Sequence, residues 1–225
     1  YLPFKVDLSN KVAVVTGGGG VLCSGFCKAL AACGAKVAVL NRSAESANRV
    51  ADEIKAEGGT AIGISANVLY KESMEAAREI INEKLGTCDI LINGAGGNHP
   101  NGTTTKEYLF PEDLQEKSEQ VKTFFDLDIA DIRSVFDLNF IGALLTTQVF
   151  AADMAKKPGS VIINVSSMNS FRPLTKIPAY SAAKAAVSNF TQWLAVHFAP
   201  VGIRVNAIAP GFFITKQNRS MLMNP

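Results

Sequence analysis

Six short apolar runs alternate with longer helical stretches, and this alternation restricts the possible folds more than any other feature of the chain. The runs are nearly continuous in Val, Ile, Leu and Ala, as strands buried on both faces of a parallel sheet are. The predicted strands are Lys11–Thr16, Lys36–Leu40, Ala61–Ser65, Ile90–Asn93, Ser160–Ser166 and Arg204–Ala209. The predicted helices are Ser24–Cys33, Ser43–Glu57, Lys71–Leu85, Ile129–Ala155 and Ala179–Ala199. This order predicts an α/β fold with a right-handed, doubly wound parallel sheet of the Rossmann type.

Length and charge limit the classes of protein to consider. A chain of 225 residues suits one domain, and we expect a single domain over residues 1–225. The formal net charge of +2 provides no electrostatic basis for binding nucleic acid or an anionic membrane. No uninterrupted apolar run approaches the roughly 18 residues of a membrane helix, and the N-terminus lacks the pattern of a secretion signal. We therefore expect a cytoplasmic protein with no nucleic-acid or membrane partner.

The cysteines do not predict a metal site. The chain has four of them, all among apolar or small residues: Cys23, Cys27, Cys33 and Cys88. Cys23 and Cys27 are one helical turn apart, but a structural zinc site needs about four Cys or His ligands. His99 and His197 stand alone in the sequence. We expect reduced, mostly buried thiols and no bound metal.

Four consecutive glycines, Gly17, Gly18, Gly19 and Gly20, lie between the first predicted strand and the first predicted helix. Glycines here permit a tight turn and let the backbone approach a pyrophosphate, and the helix N-terminus offers free N–H groups. A glycine-rich loop can also be a plain turn. Its position in a strand–loop–helix unit favours a dinucleotide cofactor.

Asn41 and Arg42 follow the second predicted strand, where NAD-binding folds place an acidic residue against the ribose 2′-hydroxyl. No carboxylate is present here to repel a 2′-phosphate, and a guanidinium can pair with that phosphate. NADP(H) is therefore favoured, with NAD(H) as the alternative. Arg42 could equally be a solvated residue at the start of the next helix.

Tyr180 and Lys184 are four residues apart on a predicted helix and therefore share one face of it. A nearby ammonium stabilises tyrosinate, so we expect the pKa of the phenol to be lowered toward neutral pH. Tyr180 is then a candidate general acid toward a carbonyl or base toward an alcohol. Ser167, at the end of the fifth predicted strand, can hydrogen-bond the same substrate oxygen. A buried Tyr beside a surface Lys is the structural alternative.

These motifs together resemble the short-chain dehydrogenase/reductase family over residues 8–217. The residues that carry the resemblance are Thr16-Gly17, Asn93-Gly-Ala-Gly96, Asn139, Ser167, Tyr180, Lys184, Asn206 and Pro210-Gly211. The resemblance implies a catalytic tetrad of Asn139, Ser167, Tyr180 and Lys184. In the family the Tyr donates the proton, the Lys also binds the nicotinamide ribose, and the Asn holds a water that links the Lys to solvent. The cofactor delivers hydride.

The resemblance also implies which residues bind the cofactor and how the subunits assemble. The implied cofactor-binding residues are Thr16, Gly17, Gly18, Gly19, Gly20, Val21, Leu22, Asn41, Arg42, Asn67, Val68, Asn93, Gly94, Ala95, Gly96, Tyr180, Lys184, Pro210, Gly211, Phe213 and Thr215. In the family, helices in the position of Ala179–Ala199 pair between subunits, so a homotetramer is expected.

Several positions depart from the family pattern. Val21 and Cys23 stand where the phosphate loop usually has glycines, and we expect their side chains to crowd the pyrophosphate. Gly94 replaces the second Asn of the usual Asn-Asn-Ala-Gly, and Asn67 replaces an Asp that faces the adenine. Residues 97–128 are predicted to be a long insertion on the substrate side. The family's last strand and substrate-covering helices are absent from these residues, so we expect an incomplete sheet.

The substrate class follows from a closer resemblance. Residues 94–100, the insertion and residues 165–170 resemble the sugar-acid reductases of the D-mannonate oxidoreductase (fructuronate reductase) type, which implies a small sugar-acid substrate. Candidate substrate-binding residues are Asn98, His99, Asn101 and Asn169 for hydroxyls, and Arg172 or Lys176 for a carboxylate. One alternative is gluconate 5-dehydrogenase or another polyol or ketose reductase. An alternative of another class is a non-catalytic protein that senses NADP(H).

Overall fold

The computed structural model describes residues 6–115 and 121–213, and these residues contain one six-stranded parallel sheet in the order β3-β2-β1-β4-β5-β6. The strands are β1 (Val12–Thr16), β2 (Lys36–Asn41), β3 (Thr60–Ser65), β4 (Ile90–Asn93), β5 (Val161–Val165) and β6 (Arg204–Ile208). The helices are α1 (Val21–Ala32), α2 (Ala44–Ala56), α3 (Lys71–Lys84), α4 (Ile129–Phe136), α5 (Gly142–Met154) and α6 (Pro178–His197). The predicted doubly wound α/β fold is confirmed. Its strand order reverses between β1 and β4, where such sheets open a crevice for ligands.

Strands β1, β2 and β4 are largely buried, which explains why they are almost continuously apolar in sequence, whereas the edge strand β6 is mostly exposed. All five residues of β1 are buried. Val14, Leu91 and Phe150 belong to the core on one face, whereas Val15 and Val39 belong to the core on the other. Helices cover each core, as a parallel sheet requires.

Helix α1 begins at Val21, three residues before its predicted start at Ser24. Gly20 precedes it in an extended conformation (φ −81°, ψ 167°), and no side chain caps the helix. The first N–H groups of an α-helix have no intrahelical acceptor, and the positive end of the helix dipole lies there. The uncapped end of α1 therefore offers donors to an external anion.

The predicted helix Ile129–Ala155 is interrupted. Helices α4 and α5 are joined by a π-helical turn over Asp137–Ile141, which is the part of the stretch that periodicity did not reveal. Residues 129–154 contain an 18-residue window that is apolar enough to cross a membrane, with a mean hydropathy of 1.4. Half of that window is buried inside the protein. Because α5 packs against α3 and β4, we interpret this stretch as a core helix.

The connection between β4 and α4 has neither strand nor α-helix in its described part. It forms three short 3₁₀ turns, at Pro100–Gly102, Pro111–Leu114 and Phe124–Asp126. The N–H of Thr104 donates to the carbonyl of Lys176 at 2.9 Å, which ties the connection to the segment before α6. Within the connection, the Nζ of Lys122 donates to the carbonyl of Asn101 at 2.6 Å.

Candidate active site

A cleft of about 860 Å³ opens at the carboxyl ends of β1, β2 and β4. It brings together most of the residues that the sequence predicts to bind a cofactor. Those that line it are Thr16, Gly17, Gly19, Gly20, Val21, Leu22, Asn41, Arg42, Asn67, Val68, Gly94, Ala95 and Gly96. The cleft thus runs from the glycine loop, past the end of β2, to the loop after β4.

The glycine loop fits a pyrophosphate because backbone, rather than side chains, forms the wall of the cleft. Gly17 has a left-handed φ of +66°, and a Cβ there would lie 2.9 Å from the carbonyl oxygen of Gly94. A Cβ on Gly19 would lie 2.7 Å from the Cβ of Ser46. Gly18 instead turns inward, where a Cβ would meet Val39 at 2.7 Å. The loop therefore tolerates no side chain at these positions, and the uncapped N-terminus of α1 follows it.

Cys23 forms part of the wall of the cleft and packs toward the loop after β4. It lines the cleft but is only 4% exposed, and its Sγ lies 2.3 Å from the position that a Cβ on Gly94 would take. Burial raises the pKa of the thiol to about 11, so Cys23 is a neutral packing group. Val21 is 61% exposed at the mouth of the cleft, and the crowding of a pyrophosphate by these two side chains stays a prediction.

Two arginines and no carboxylate line the cleft among the residues that the structure describes. Arg42 follows β2, and Arg49 lies on α2. One guanidinium nitrogen of Arg49 donates to the carboxylate of Glu53 at 2.8 Å, and the other donates to the carbonyl of Gly19 at 3.2 Å. Arg49 thus braces the glycine loop from α2. Arg49 was not predicted from the sequence, although it lies three residues after Ser46 and therefore on the same face of α2.

Some predicted cofactor-binding residues lie elsewhere. Asn93 is 4% exposed, and its Nδ2 donates to Thr147 Oγ1 at 2.9 Å and to Asn164 Oδ1 at 2.8 Å, inside the core. Pro210 lines neither described cavity, and its carbonyl accepts from the N–H of Met168 at 3.0 Å. Phe213 is half-exposed near the end of the described chain, and Thr215 lies outside the described residues. Asn67 does line the cleft, but its Oδ1 accepts from the N–H of Leu69 at 3.1 Å.

Asn139 lies on the π turn and is 1% exposed. Its Oδ1 accepts from the N–H of Gly97 at 3.1 Å, and its Nδ2 donates to the carbonyl of Gly97 at 2.7 Å and to that of Val135 at 2.8 Å. A Cβ on Gly96 would lie 2.6 Å from Asn139 Oδ1 and 3.1 Å from Lys184 Nζ. Asn139 and Lys184 therefore meet at the loop that follows β4.

Ser167, Tyr180 and Lys184 also come together. The Ser167 hydroxyl lies near enough to the phenol of Tyr180 to act on its pKa. Lys184 is 4% exposed, and its Nζ donates to the carbonyl of Val165 at 2.7 Å and lies 5.6 Å from the centroid of the Tyr180 ring. The four predicted catalytic side chains thus lie around the end of β5 and the first turns of α6.

The expectation that the ammonium lowers the pKa of Tyr180 is wrong for this arrangement. Burial raises the pKa of the phenol, and the nearby Ser167 hydroxyl offsets only part of that effect. Burial also lowers the pKa of Lys184 to about 8. Both groups are shifted toward their neutral forms because desolvation is the largest effect on each.

A second cavity of about 350 Å³ adjoins Ser167 and Tyr180. Its polar lining includes the predicted substrate-binding residues Asn98 and Asn169, together with Lys176. Thr103, Glu107 and Thr175 add further polar groups that the sequence analysis did not select. The apolar lining comes from Met168, Leu174, Ile177 and Phe212, beside Gly97 and Gly211.

Three other substrate candidates lie outside this cavity. The Nδ1 of His99 is 3.5 Å from a carboxylate oxygen of Asp131 on α4. Arg172 and Asn101 are exposed and line neither cavity. A polar loop residue is a weak signal because most such residues face solvent, and only the folded connection shows which ones turn inward.

Comparison with known protein families identifies the family to which this site belongs. The profile described as short chain dehydrogenase matches residues 11–224. The chain belongs to the short chain dehydrogenase family. It is therefore an oxidoreductase of alcohol and keto groups that uses a nicotinamide cofactor, which disfavours a non-catalytic sensor.

Individual members of the family are closely similar to the chain. An uncharacterized oxidoreductase of Haemophilus influenzae is 55% identical over 218 residues, which are 97% of this chain and 75% of that protein. A Haemophilus crystal structure with bound NAD, provisionally assigned as a D-mannonate oxidoreductase, has 54% identity and a TM-score of 0.91, covering 96% of this chain and 76% of that one. A 7α-hydroxysteroid dehydrogenase with NADH and 7-oxo glycochenodeoxycholic acid has 30% identity and a TM-score of 0.82, covering 98% and 78%.

Proposed function

We propose that this short chain dehydrogenase interconverts the ketone and alcohol forms of a sugar acid, D-fructuronate and D-mannonate. The main support is the composition of the cavity beside Ser167 and Tyr180. Asn98 supplies an amide there, Asn169 a buried carbonyl and Lys176 a cation. A polyhydroxylated acid needs donors and acceptors of these kinds. The similarity to the Haemophilus protein assigned provisionally as a D-mannonate oxidoreductase supports the same substrate.

Tyr180 is the proposed proton donor in the reduction. Its raised pKa keeps the phenol protonated at neutral pH, as a general acid toward a ketone oxygen must be. Ser167 lies beside the phenol and would hydrogen-bond the same substrate oxygen. Lys184 places a positive charge close to the ring of Tyr180. Asn139 fixes the loop at Gly97, which lies between the two cavities. When bound, the nicotinamide supplies hydride for the reduction and accepts it in the reverse direction.

NADP(H) is the proposed preferred cofactor, with NAD(H) also used. Arg42 and Arg49 make the cleft cationic near the end of β2, and no carboxylate among the described lining residues would repel a 2′-phosphate. The NAD in the Haemophilus structure shows what that protein binds. For this chain the ratio of the two activities decides the preference.

The proposal is tested by measuring NADPH and NADH oxidation with D-fructuronate and with 5-ketogluconate. Turnover of D-fructuronate supports the proposed function and fixes the preferred cofactor in one experiment. Turnover of 5-ketogluconate alone supports the alternative, a gluconate 5-dehydrogenase. Turnover of neither acid, with a neutral polyol or ketose accepted, contradicts a sugar-acid substrate.

Assembly and location belong to the same proposal. We propose a cytoplasmic homotetramer, which the exposed apolar side chains on two helices support. Ile129 of α4 is 66% exposed, and Trp193 and Val196 of α6 are 55% and 78% exposed. Light scattering from the purified protein measures its oligomeric state directly, and a monomer would contradict this part of the proposal.

A further inference from the structure

Two of the segments that line the cavity beside Tyr180 hydrogen-bond to each other. Asn98, Thr103 and Glu107 come from the connection after β4, whereas Lys176 comes from the segment before α6. The hydrogen bond from the N–H of Thr104 to the carbonyl of Lys176, at 2.9 Å, joins the two segments. The connection therefore fixes the backbone from which the Lys176 side chain projects.

Lys176 is a half-buried cation without a counterion in the described part of the chain. It lines the cavity, and no described carboxylate lies within 4.0 Å of its Nζ, although Glu107 lines the same cavity. Other lysines of the connection are already engaged: Lys106 pairs with Asp113, and Lys122 donates to the carbonyl of Asn101. Lys176 is thus the cation at this cavity that is available to an anionic ligand.

Asn169 provides an independent sign of a polar ligand in the same cavity. It is 6% exposed, and its N–H donates to Ser167 Oγ at 3.2 Å, which places it next to the proposed reaction centre. Its Oδ1 is buried and has no hydrogen-bond partner among the described residues. Leaving a buried acceptor unpaired costs free energy, and a ligand hydroxyl that donates to Oδ1 would remove that cost.

We propose that Lys176 binds the carboxylate of the substrate and that Asn169 Oδ1 accepts a hydrogen bond from one of its hydroxyls. This inference rests on the proposed function, since it assigns the two chemical groups of a sugar acid to two side chains. Arg172, the other carboxylate candidate, is exposed and lies outside the cavity. Lys176 is a specificity-determining residue, and the connection after β4 positions it through Thr104.

The test compares an acid with its neutral analogue. D-fructuronate has a carboxylate at the end where D-fructose has a hydroxymethyl group. The ratio of their kcat/KM values therefore isolates the contribution of the carboxylate. Lys176→Gln is expected to lower this ratio by about tenfold or more, mainly through a higher KM for the acid, as the loss of a charge-assisted hydrogen bond implies. Arg172→Gln, the matched control, leaves the ratio unchanged.

Asn169→Ala separates the second half of the inference. Both substrates carry the hydroxyls, so this variant lowers kcat/KM for both and leaves the acid-to-neutral ratio unchanged. An Asn169→Ala variant with wild-type kcat/KM for both substrates contradicts the hydroxyl assignment. Thermal unfolding of each variant shows whether the fold is intact.

Calorimetric binding of D-mannonate to the enzyme loaded with reduced cofactor gives a readout without turnover. Lys176→Gln weakens this binding about tenfold or more if the carboxylate pairs with Lys176. Wild-type affinity together with a wild-type acid-to-neutral ratio in Lys176→Gln overturns the inference while leaving the proposed function intact. A wild-type enzyme that neither reduces D-fructuronate nor binds D-mannonate overturns both.

Discussion

The Sγ of Cys23 occupies the space that a side chain at position 94 would need, since a Cβ on Gly94 would lie 2.3 Å from it. The two residues are both departures from the pattern that the family resemblance describes, with Cys in place of Gly and Gly in place of Asn. The thiol of Cys23 fills space that the lack of a side chain at Gly94 leaves open. The volume added on α1 is matched by the volume removed after β4, so the loops beside the cleft keep their close approach.

Gly94→Ala is therefore expected to destabilise the protein by about 1–3 kcal/mol, the usual cost of overpacking a close contact. Cys23→Ala in the same chain recovers part of this loss, because the carbonyl oxygen of Thr16 remains 2.8 Å from the added Cβ. Urea unfolding of the two single variants and the double variant measures the coupling. Gly97→Ala is the control because a Cβ there meets nothing within 4 Å. Additive effects of the two substitutions would contradict the compensation.

Tyr180→Phe is expected to lower kcat by about 10²- to 10⁴-fold, the usual contribution of a general acid. The phenyl ring keeps its packing, so the dissociation constant of the cofactor, measured by fluorescence titration, stays close to the wild-type value. Wild-type turnover in this variant would exclude Tyr180 as the proton donor.

Arg42→Asp is expected to shift the ratio of kcat/KM for NADPH and NADH toward NADH by about tenfold or more, since it replaces a charge-assisted hydrogen bond by repulsion. Arg49→Gln distinguishes a phosphate contact from a role in bracing the loop. Because Arg49 donates to the carbonyl of Gly19, its loss raises the KM for both cofactors and leaves their ratio nearly unchanged. An unchanged ratio in Arg42→Asp would remove Arg42 from cofactor selection.

Lys184 makes the stability of the protein dependent on pH in the alkaline range. Burial lowers its pKa from 10.5 to about 8, so the unfolded chain binds the proton more tightly than the folded protein. The resulting destabilisation is fully present below about pH 8 and disappears as the pH rises toward 10.5; it amounts to about 3 kcal/mol at 1.36 kcal/mol per pKa unit.

Lys184→Met removes this contribution. The stability of the variant relative to the wild type is therefore highest near pH 7 and declines between pH 8 and 10. Urea unfolding at several pH values measures that difference, and the slope is the diagnostic quantity because the lost hydrogen bond to Val165 affects all pH values equally. A difference that is independent of pH contradicts the lowered pKa.

The sequence predicted the sheet, Tyr180, Lys184 and Ser167 because these depend on local patterns, whereas Asn139 was implied only by the family resemblance. Continuous apolar runs marked the strands, and the spacing of Tyr180 and Lys184 placed them on one face of α6. The direction of the Tyr180 pKa shift depends on burial, which the sequence does not show. Asn93 was assigned to the cofactor from its motif, yet its amide belongs to a core network with Asn164 and Thr147.

The substrate side was predictable only in outline. The long polar segment after β4 was identified, and Asn98 and Asn169 line the cavity as expected. Arg49 was missed because it acts through a contact with the distant Gly19, and Glu107 was missed because only the folded connection shows that it lines the cavity. Arg172 and Lys176 were both candidates for a carboxylate, and only the fold shows that Arg172 is exposed while Lys176 lines the cavity.

The π turn at Asp137–Ile141 holds one residue more than an α-helical turn does. Deleting one residue there would close the turn to regular α-helix and keep α4 and α5 in nearly the same rotational relationship, so Phe150 and Met154 would stay in the core. The change would fall on Asn139, whose amide would leave the position from which it hydrogen-bonds the backbone of Gly97. A one-residue change of length in this helix would therefore alter the site while sparing the fold.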